Sequence, residues 1–297
     1  MENDSARLRA IEGAFSRSAR KWPRRISAIL FLEISTMFAN VEGSSLFFES
    51  AGEGRAIIFL HGLGGTGNVW YGQRSVLRKT HRVITLNLPG SGRSSKHETS
   101  YSMQRWAEQV VGLADHLKID RFTLVGHSMS TILAQKVAGQ FPKRVDGVIL
   151  CGPLTELPEA GKNAFAQRKA LVESEGMTAV ADLVLEGALT VATREIQGPL
   201  AGMCREMLMS NDPKSYAAQC QALLEGSAKA EQTKIACPVL ILVGDQDVVT
   251  PLANARAISA QAPTASIRIV PATAHLTMAE RPEFFNSLIL DFMAQLT

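Results

Sequence analysis

Val125-Gly126-His127-Ser128-Met129-Ser130 is the stretch that decides how this chain is read. Before it, Arg121–Val125 is a run of β-branched and apolar residues that reads as a strand; after it, Thr131–Phe141 has helical spacing. A serine at such a junction sits on a sharp turn that lifts its hydroxyl off the end of the sheet. Small residues two positions to either side, Gly126 and Ser130, let the backbone pass. The N–H of Met129 opens the helix and can face a developing negative charge. Taken alone, the hexapeptide is equally an ordinary strand-to-helix turn with Ser128 as its N-cap.

Its partners decide between the two. A hydroxyl needs a base to become a nucleophile at neutral pH, and the base needs an acid to orient it. Downstream, Gly244-Asp245-Gln246-Asp247 follows the strand Val239–Val243, and His275 follows the strand Ser266–Val270. The order Ser128, Asp247, His275 is the order used when all three emerge at one edge of a parallel sheet. Asp247 is the better orienter, because Val248-Val249-Thr250-Pro251 opens a helix right after it; Asp245 reads as a turn residue. A fourth element, His61-Gly62-Leu63-Gly64-Gly65, follows the strand Ala56–Leu60. Its glycines allow the loop to aim the Leu63 N–H at the site as a second oxyanion donor beside Met129, with His61 holding the loop. Trp70 and His127 are the candidate substrate contacts, and His127 reads as a neighbour of the base, not the base itself.

Outward from these motifs, strands and helices alternate: Ser45–Glu49, Ala56–Leu60 and Arg82–Leu88 as strands, Met103–Leu117 as a helix, then Val145–Cys151, and again from Val239 to a final helix over Pro282–Leu296. This pattern predicts an α/β fold with a mostly parallel twisted sheet flanked by helices. Residues 154–234 read as helices only, a cap inserted over the C-terminal edge of the strands, where ligands bind in such folds. The expected organisation is an N-terminal extension over 1–36, a core over 37–153 and 235–297, and the helical cap between.

The chain has 297 residues, 46% hydrophobic, 20% charged and 6% aromatic, which excludes a disordered or fibrous class. Cys151, Cys204, Cys220 and Cys237 stand far apart, so no disulfide framework or metal site is expected. Residues 1–36 hold seven basic and four acidic groups and account for the whole net charge of +3. The balanced body has no basic face for nucleic acid. The apolar run Ile26–Leu32 is too short to span a membrane. The cysteines suit a cytoplasmic setting; a mitochondrial presequence is the alternative reading of the extension, against which Glu2 and Asp4 argue.

Taken in order, HGLGG (61–65), GHSMS (126–130), GDQDVVTP (244–251) and AHLTMAERPEFFN (274–286) resemble the α/β-hydrolase superfamily from about Met37 onward. Within it, Val172–Met177 and Tyr216–Cys220 look like 3-oxoadipate enol-lactonases. The resemblance implies Ser128 as nucleophile, His275 as base and acid, Asp247 as orienter, a small-molecule lactone or ester as substrate, and no cofactor. The chain departs from the family at Asn87, commonly Asp, and at Ser130, commonly Gly. A dicarboxylate lactone needs a cation, and Arg168, Arg194 and Arg205 are the candidates in the cap. Competing readings on the same fold are a carboxylesterase, a C–C bond hydrolase and a non-catalytic binder of small molecules.

Overall fold

Five of the strands are apolar along nearly their whole length, and this sets the architecture. The computed structural model describes residues 35–96 and 101–296. Its strands are β1 (Ser35–Val41), β2 (Ser44–Ala51), β3 (Ala56–Leu60), β4 (Arg82–Leu86), β5 (Phe122–His127), β6 (Val145–Cys151), β7 (Val239–Gly244) and β8 (Ala265–Val270). They form one sheet in the order β1-β2-β4-β3-β5-β6-β7-β8, parallel from β4 to β8 and antiparallel at the β1 and β2 edge. Every residue of β3, β5 and β7 is buried, because helices cover both faces.

The helices are α1 (Tyr71–Leu77), α2 (Met103–His116), α3 (Met129–Gln140), α4 (Glu159–Glu175), α5 (Thr178–Ala188), α6 (Val191–Ile196), α7 (Gly198–Met209), α8 (Pro213–Glu225), α9 (Lys229–Gln232), α10 (Leu252–Gln261), α11 (Thr277–Glu280) and α12 (Pro282–Gln295). Successive side chains of a strand point to opposite faces, so the core divides in two. Ile58, Leu124 and Ile241 pack with Trp106 and Leu133 on one face. Phe59, Val125 and Leu242 pack with Trp70 and Phe285 on the other. Between β6 and β7 the regular structure of the described residues is helical, α4 to α9, apart from one bridge pairing Glu156 with Ser227. These helices carry a small core of their own around Val172, Val180, Tyr216 and Cys220.

Sequence periodicity places most of the elements but misses the helix α1 and the strand β1. That strand takes up Ser35 and Thr36, which the sequence reading assigned to the extension. It is made by a hairpin whose turn residues, Glu42 and Gly43, both have positive φ (49° and 80°). Such turns are usually announced by Asn-Gly or Asp-Gly, and Glu-Gly is a weak signal. The basic extension and its targeting readings lie outside the described residues.

Ile58 is fully buried at the centre of the sheet. Ile58→Ala should cost about 2–5 kcal/mol, read as a lower urea midpoint with an unchanged slope.

Candidate active site

β5 ends directly under Ser128, and the backbone turns there with φ 53° and ψ −121°. Positive φ on a non-glycine residue costs about 1–3 kcal/mol and persists only where the surroundings hold it. Here the Ser128 N–H donates to the Cys151 carbonyl (2.9 Å), and the Ser128 carbonyl accepts from the Thr131 N–H (2.8 Å) and hydroxyl (2.6 Å). A β-carbon on Gly126 would run into the Ser130 carbonyl, so that position must be bare. The Ser128 side chain makes no capping bond, which removes the N-cap alternative. Ser130, the departure from glycine, is fully buried and donates its hydroxyl to the His61 carbonyl (2.5 Å). The extra atoms therefore tie the start of α3 to the HGLGG loop.

Asp247 and His275, 28 positions apart, meet at the ends of β7 and β8. The His275 Nδ1–H donates to Asp247 Oδ2 (2.9 Å), and the Thr250 hydroxyl donates to the same oxygen (2.8 Å). The N–H groups of Val249 (2.9 Å) and Thr250 (2.8 Å) donate to Oδ1. Burial alone works against the charged form of Asp247. The neighbouring imidazole and these hydrogen bonds outweigh it and hold the carboxyl below its usual value. Asp245 instead accepts from the Thr273 N–H (3.1 Å) and closes the turn. With Nδ1 engaged, Nε2 is the His275 nitrogen left for the cavity that it and Ser128 both line. Among the described residues Ser128 Oγ makes no hydrogen bond; such catalytic contacts often tighten only around substrate. Thr250 was not singled out from sequence, although a hydroxyl three residues past an orienting acid is a usable signal.

The HGLGG loop is organised by His61. Its Nδ1–H donates to the Gly62 carbonyl (2.8 Å), its Nε2 accepts from the Leu88 N–H (3.0 Å), and the Gly62 carbonyl also accepts from the Gly65 N–H (3.0 Å). In a trans peptide the C=O and the following N–H point opposite ways. Gly62 thus turns its carbonyl into the loop and the Leu63 N–H away from it. The loop comes so close to Ser128 that a β-carbon on Gly62 would lie 3.0 Å from Ser128 Cβ. Asn87 Oδ1 accepts from the Gly67 N–H (2.7 Å) just beyond the loop, a role that its amide oxygen fills without charge.

His127 also lines the cavity, and its Nε2–H donates to the His275 carbonyl (3.1 Å) with the two rings 4.6 Å apart. Burial, helped by the nearby His275, pushes its pKa down to about 3; burial takes His61 to about 4. Both rings are neutral supports. Trp70 corrects the sequence reading: it is fully buried, packs on Phe59 and edge-on against His127 (6.4 Å), and lies behind the cavity wall, not in it. Its neighbour Val69 reaches the wall instead.

The cavity is about 110 Å³ and is roofed by Phe165, Arg168, the Leu183–Leu185 turn of α5, and Met207. Arg168 is its one Lys, Arg, Asp or Glu side chain among the described residues and stacks over Phe165 (4.6 Å). Arg205 is paired with Asp182 (2.7 Å) outside, and Arg194 lines a separate groove with that pair. Cys204 also faces the cavity, its thiol pushed up to about 11 by burial and, secondarily, by Glu280. Among the described residues no His, Cys, Asp and Glu group could hold a metal ion, and no helix is long and apolar enough to cross a membrane.

The two buried histidines set a pH dependence. Below pH 6.5 the unfolded chain takes up protons at His61 and His127 that the folded chain refuses until about pH 4 at His61 and about pH 3 at His127. Their contribution is complete above 6.5 and drains away as pH falls. The urea midpoint should drop from pH 6.5 towards pH 4, and less steeply in His61→Asn; equal slopes in parent and variant would contradict this.

Residues 55–194 match the family model described as the alpha/beta hydrolase fold. The chain is 28% identical over 234 residues to 3-oxoadipate enol-lactonase 2 of Acinetobacter baylyi, covering 79% of this chain and 86% of that protein. The crystal structure of the enol-lactonase from Burkholderia xenovorans LB400 superposes with a TM-score of 0.84 at 26% identity, over 87% of this chain and 100% of that one. An N-acyl homoserine lactone degrading enzyme superposes with a TM-score of 0.76 at 29% identity, over 86% and 100%. A strained serine on the elbow after β5, an Asp–His pair at the same sheet edge and these likenesses agree: the chain has the α/β-hydrolase fold and is a hydrolase that resembles the enol-lactonases.

Proposed function

We propose that this hydrolase opens a small lactone, or cleaves a small ester, that carries a carboxylate, through an acyl-enzyme on Ser128. One observation carries the reading. Ser128, His275 and the Gly62–Leu63 edge share a narrow apolar cavity whose only fixed charge among the described residues is Arg168. Ser128 Oγ attacks the carbonyl carbon while His275 Nε2 takes its proton, and Asp247 stabilises the imidazolium so formed. The oxyanion falls between the N–H groups of Leu63 and Met129, each contributing about 3 kcal/mol in the transition state. Met129 begins α3, so its N–H has no acceptor within the helix. His275 then protonates the leaving oxygen, which in a lactone stays tethered to the acyl group. Water activated by the same imidazole releases the acid. Residues 154–234 act as a cap over the core of 37–153 and 235–297, and Arg168 on α4 takes the substrate carboxylate.

A second reading has support of its own. Leu183, Val184, Leu185, Met207 and Leu208 make much of the wall apolar, which suits an uncharged ester or an acyl-chain lactone. The triad would be the same and Arg168 would stand aside.

Ser128→Ala should lower kcat by about 10⁴-fold or more with folding intact. Asp247→Asn should fall by about as much and Asp245→Asn should not, since only Asp247 orients the imidazole; unchanged turnover in Ser128→Ala would end the mechanism. Arg168→Ala separates the two readings. It should raise KM about 10- to 100-fold for a carboxylate-bearing enol-lactone, the loss of a charge-assisted hydrogen bond, and leave a neutral p-nitrophenyl ester unaffected. Equal effects on both substrates would favour the uncharged class.

A further inference from the structure

Glu280 is buried (5% exposed) on α11, five residues beyond His275, and touches no reacting atom. Both of its carboxyl oxygens are used. Oε2 accepts from the N–H of Ala274, the residue before His275 (2.6 Å), and Oε1 accepts from the N–H of Thr190 at the start of α6 (2.8 Å). On the other side of His275, the Leu276 N–H donates to the carbonyl of Ala188, the last residue of α5 (3.0 Å). The His275 carbonyl itself accepts from His127. The main chain of the base is therefore held at three consecutive residues, and two of the three ties run to the α5–α6 junction of the helical insertion. The half of α5 that runs into that junction is also cavity wall: Leu183, Val184, Leu185, Gly187 and Ala188 all line it.

We propose that Glu280 is a positioning residue that couples the α5–α6 junction to the catalytic base, so that the element touching the substrate also sets where the His275 imidazole stands. The inference rests on the role of His275 in the proposed mechanism. A carboxyl group is suited to the task because it offers two acceptors and no donor to two N–H groups that face each other across it. A side chain with one acceptor leaves a buried N–H unpaired and frees the loop. Displacement of a catalytic group by about 1 Å can cost 100-fold in rate, while the cavity that binds substrate keeps its walls.

Glu280→Gln replaces one acceptor with a donor at constant shape. It should lower kcat about 10- to 100-fold on whichever ester or lactone the parent hydrolyses, with KM within about twofold, because the base moves and the pocket stays. A merely structural Glu280 would lower the urea midpoint and leave kcat of the folded enzyme alone. A second pair of variants keeps the idea testable if that one folds poorly. Thr190 has φ −62° and the preceding Leu189 is extended (φ −123°, ψ 146°), so proline fits at 190 and deletes only the N–H and the side chain. Thr190→Ala deletes the side chain and keeps the N–H. Thr190→Pro should show the kcat loss relative to Thr190→Ala, together with a shifted or broadened His275 Nδ1–H proton resonance. Equal kcat in the two Thr190 variants overturns the inference. Ser128→Ala is run alongside: if it retains turnover, the mechanism has failed, and if it abolishes turnover while Glu280→Gln keeps parental kcat, only the positioning role has failed.

Discussion

Ser128 is held in a backbone conformation that a serine avoids, and the rest of the site is arranged around that one strained residue. The strain is sustained from below by the parallel pairing of β5 with β6, which brings the Cys151 carbonyl to the Ser128 N–H, and from above by Thr131, which closes the first turn of α3. Both supports are built into the most buried part of the sheet. Relaxing the turn would break three hydrogen bonds, and each buried group left unpaired costs about as much as the strain that would be relieved. A hydroxyl lifted clear of the sheet end is the result.

Around it, charge is admitted sparingly. His61 and His127 are kept neutral by burial, so their hydrogen bonds are directional supports and add no positive charge beside Ser128. Asp247 keeps its charge in spite of burial because four donors converge on it. It engages His275 through Nδ1, leaving Nε2 as the ring nitrogen free to face the cavity. Arg168 enters from the opposite wall, on a helix of the insertion. The division is spatial: the sheet edge carries Ser128, Asp247 and His275, and the inserted helices carry Phe165, Arg168 and the apolar side chains of the facing wall.

The Ser130 and Asn87 departures fit the same economy. Each adds or keeps an oxygen where a backbone group needs a partner, Ser130 donating to the His61 carbonyl and Asn87 accepting from the Gly67 N–H. A side-chain polar atom is harmless in a buried turn when it finds a partner and costly when it does not.

Much of the fold was legible in the residues themselves. Short apolar runs rich in β-branched residues and bounded by turns, such as Ile57–Leu60 and Val239–Val243, read as strands covered on both faces, and the spacing of Ser128, Asp247 and His275 along alternating strands and helices already placed them at one sheet edge. The strand β1 was not legible, because its alternation is broken by the exposed Met37 and Phe38 and its Glu-Gly turn is a weak signal. What lies around the substrate could not be read either. Trp70 and Val69 are neighbours in sequence, yet one supports His127 from the core and the other faces the cavity. Of three arginines in one helical block, only Arg168 turns inward, and Glu280 joins Ala274 to Thr190 across 84 positions. Local residue patterns determine which segments become strands, helices and sharp turns, since those depend on neighbours a few positions away. Which side chains meet over Ser128 depends on how the inserted helices pack onto the sheet, and only the tertiary structure decides that.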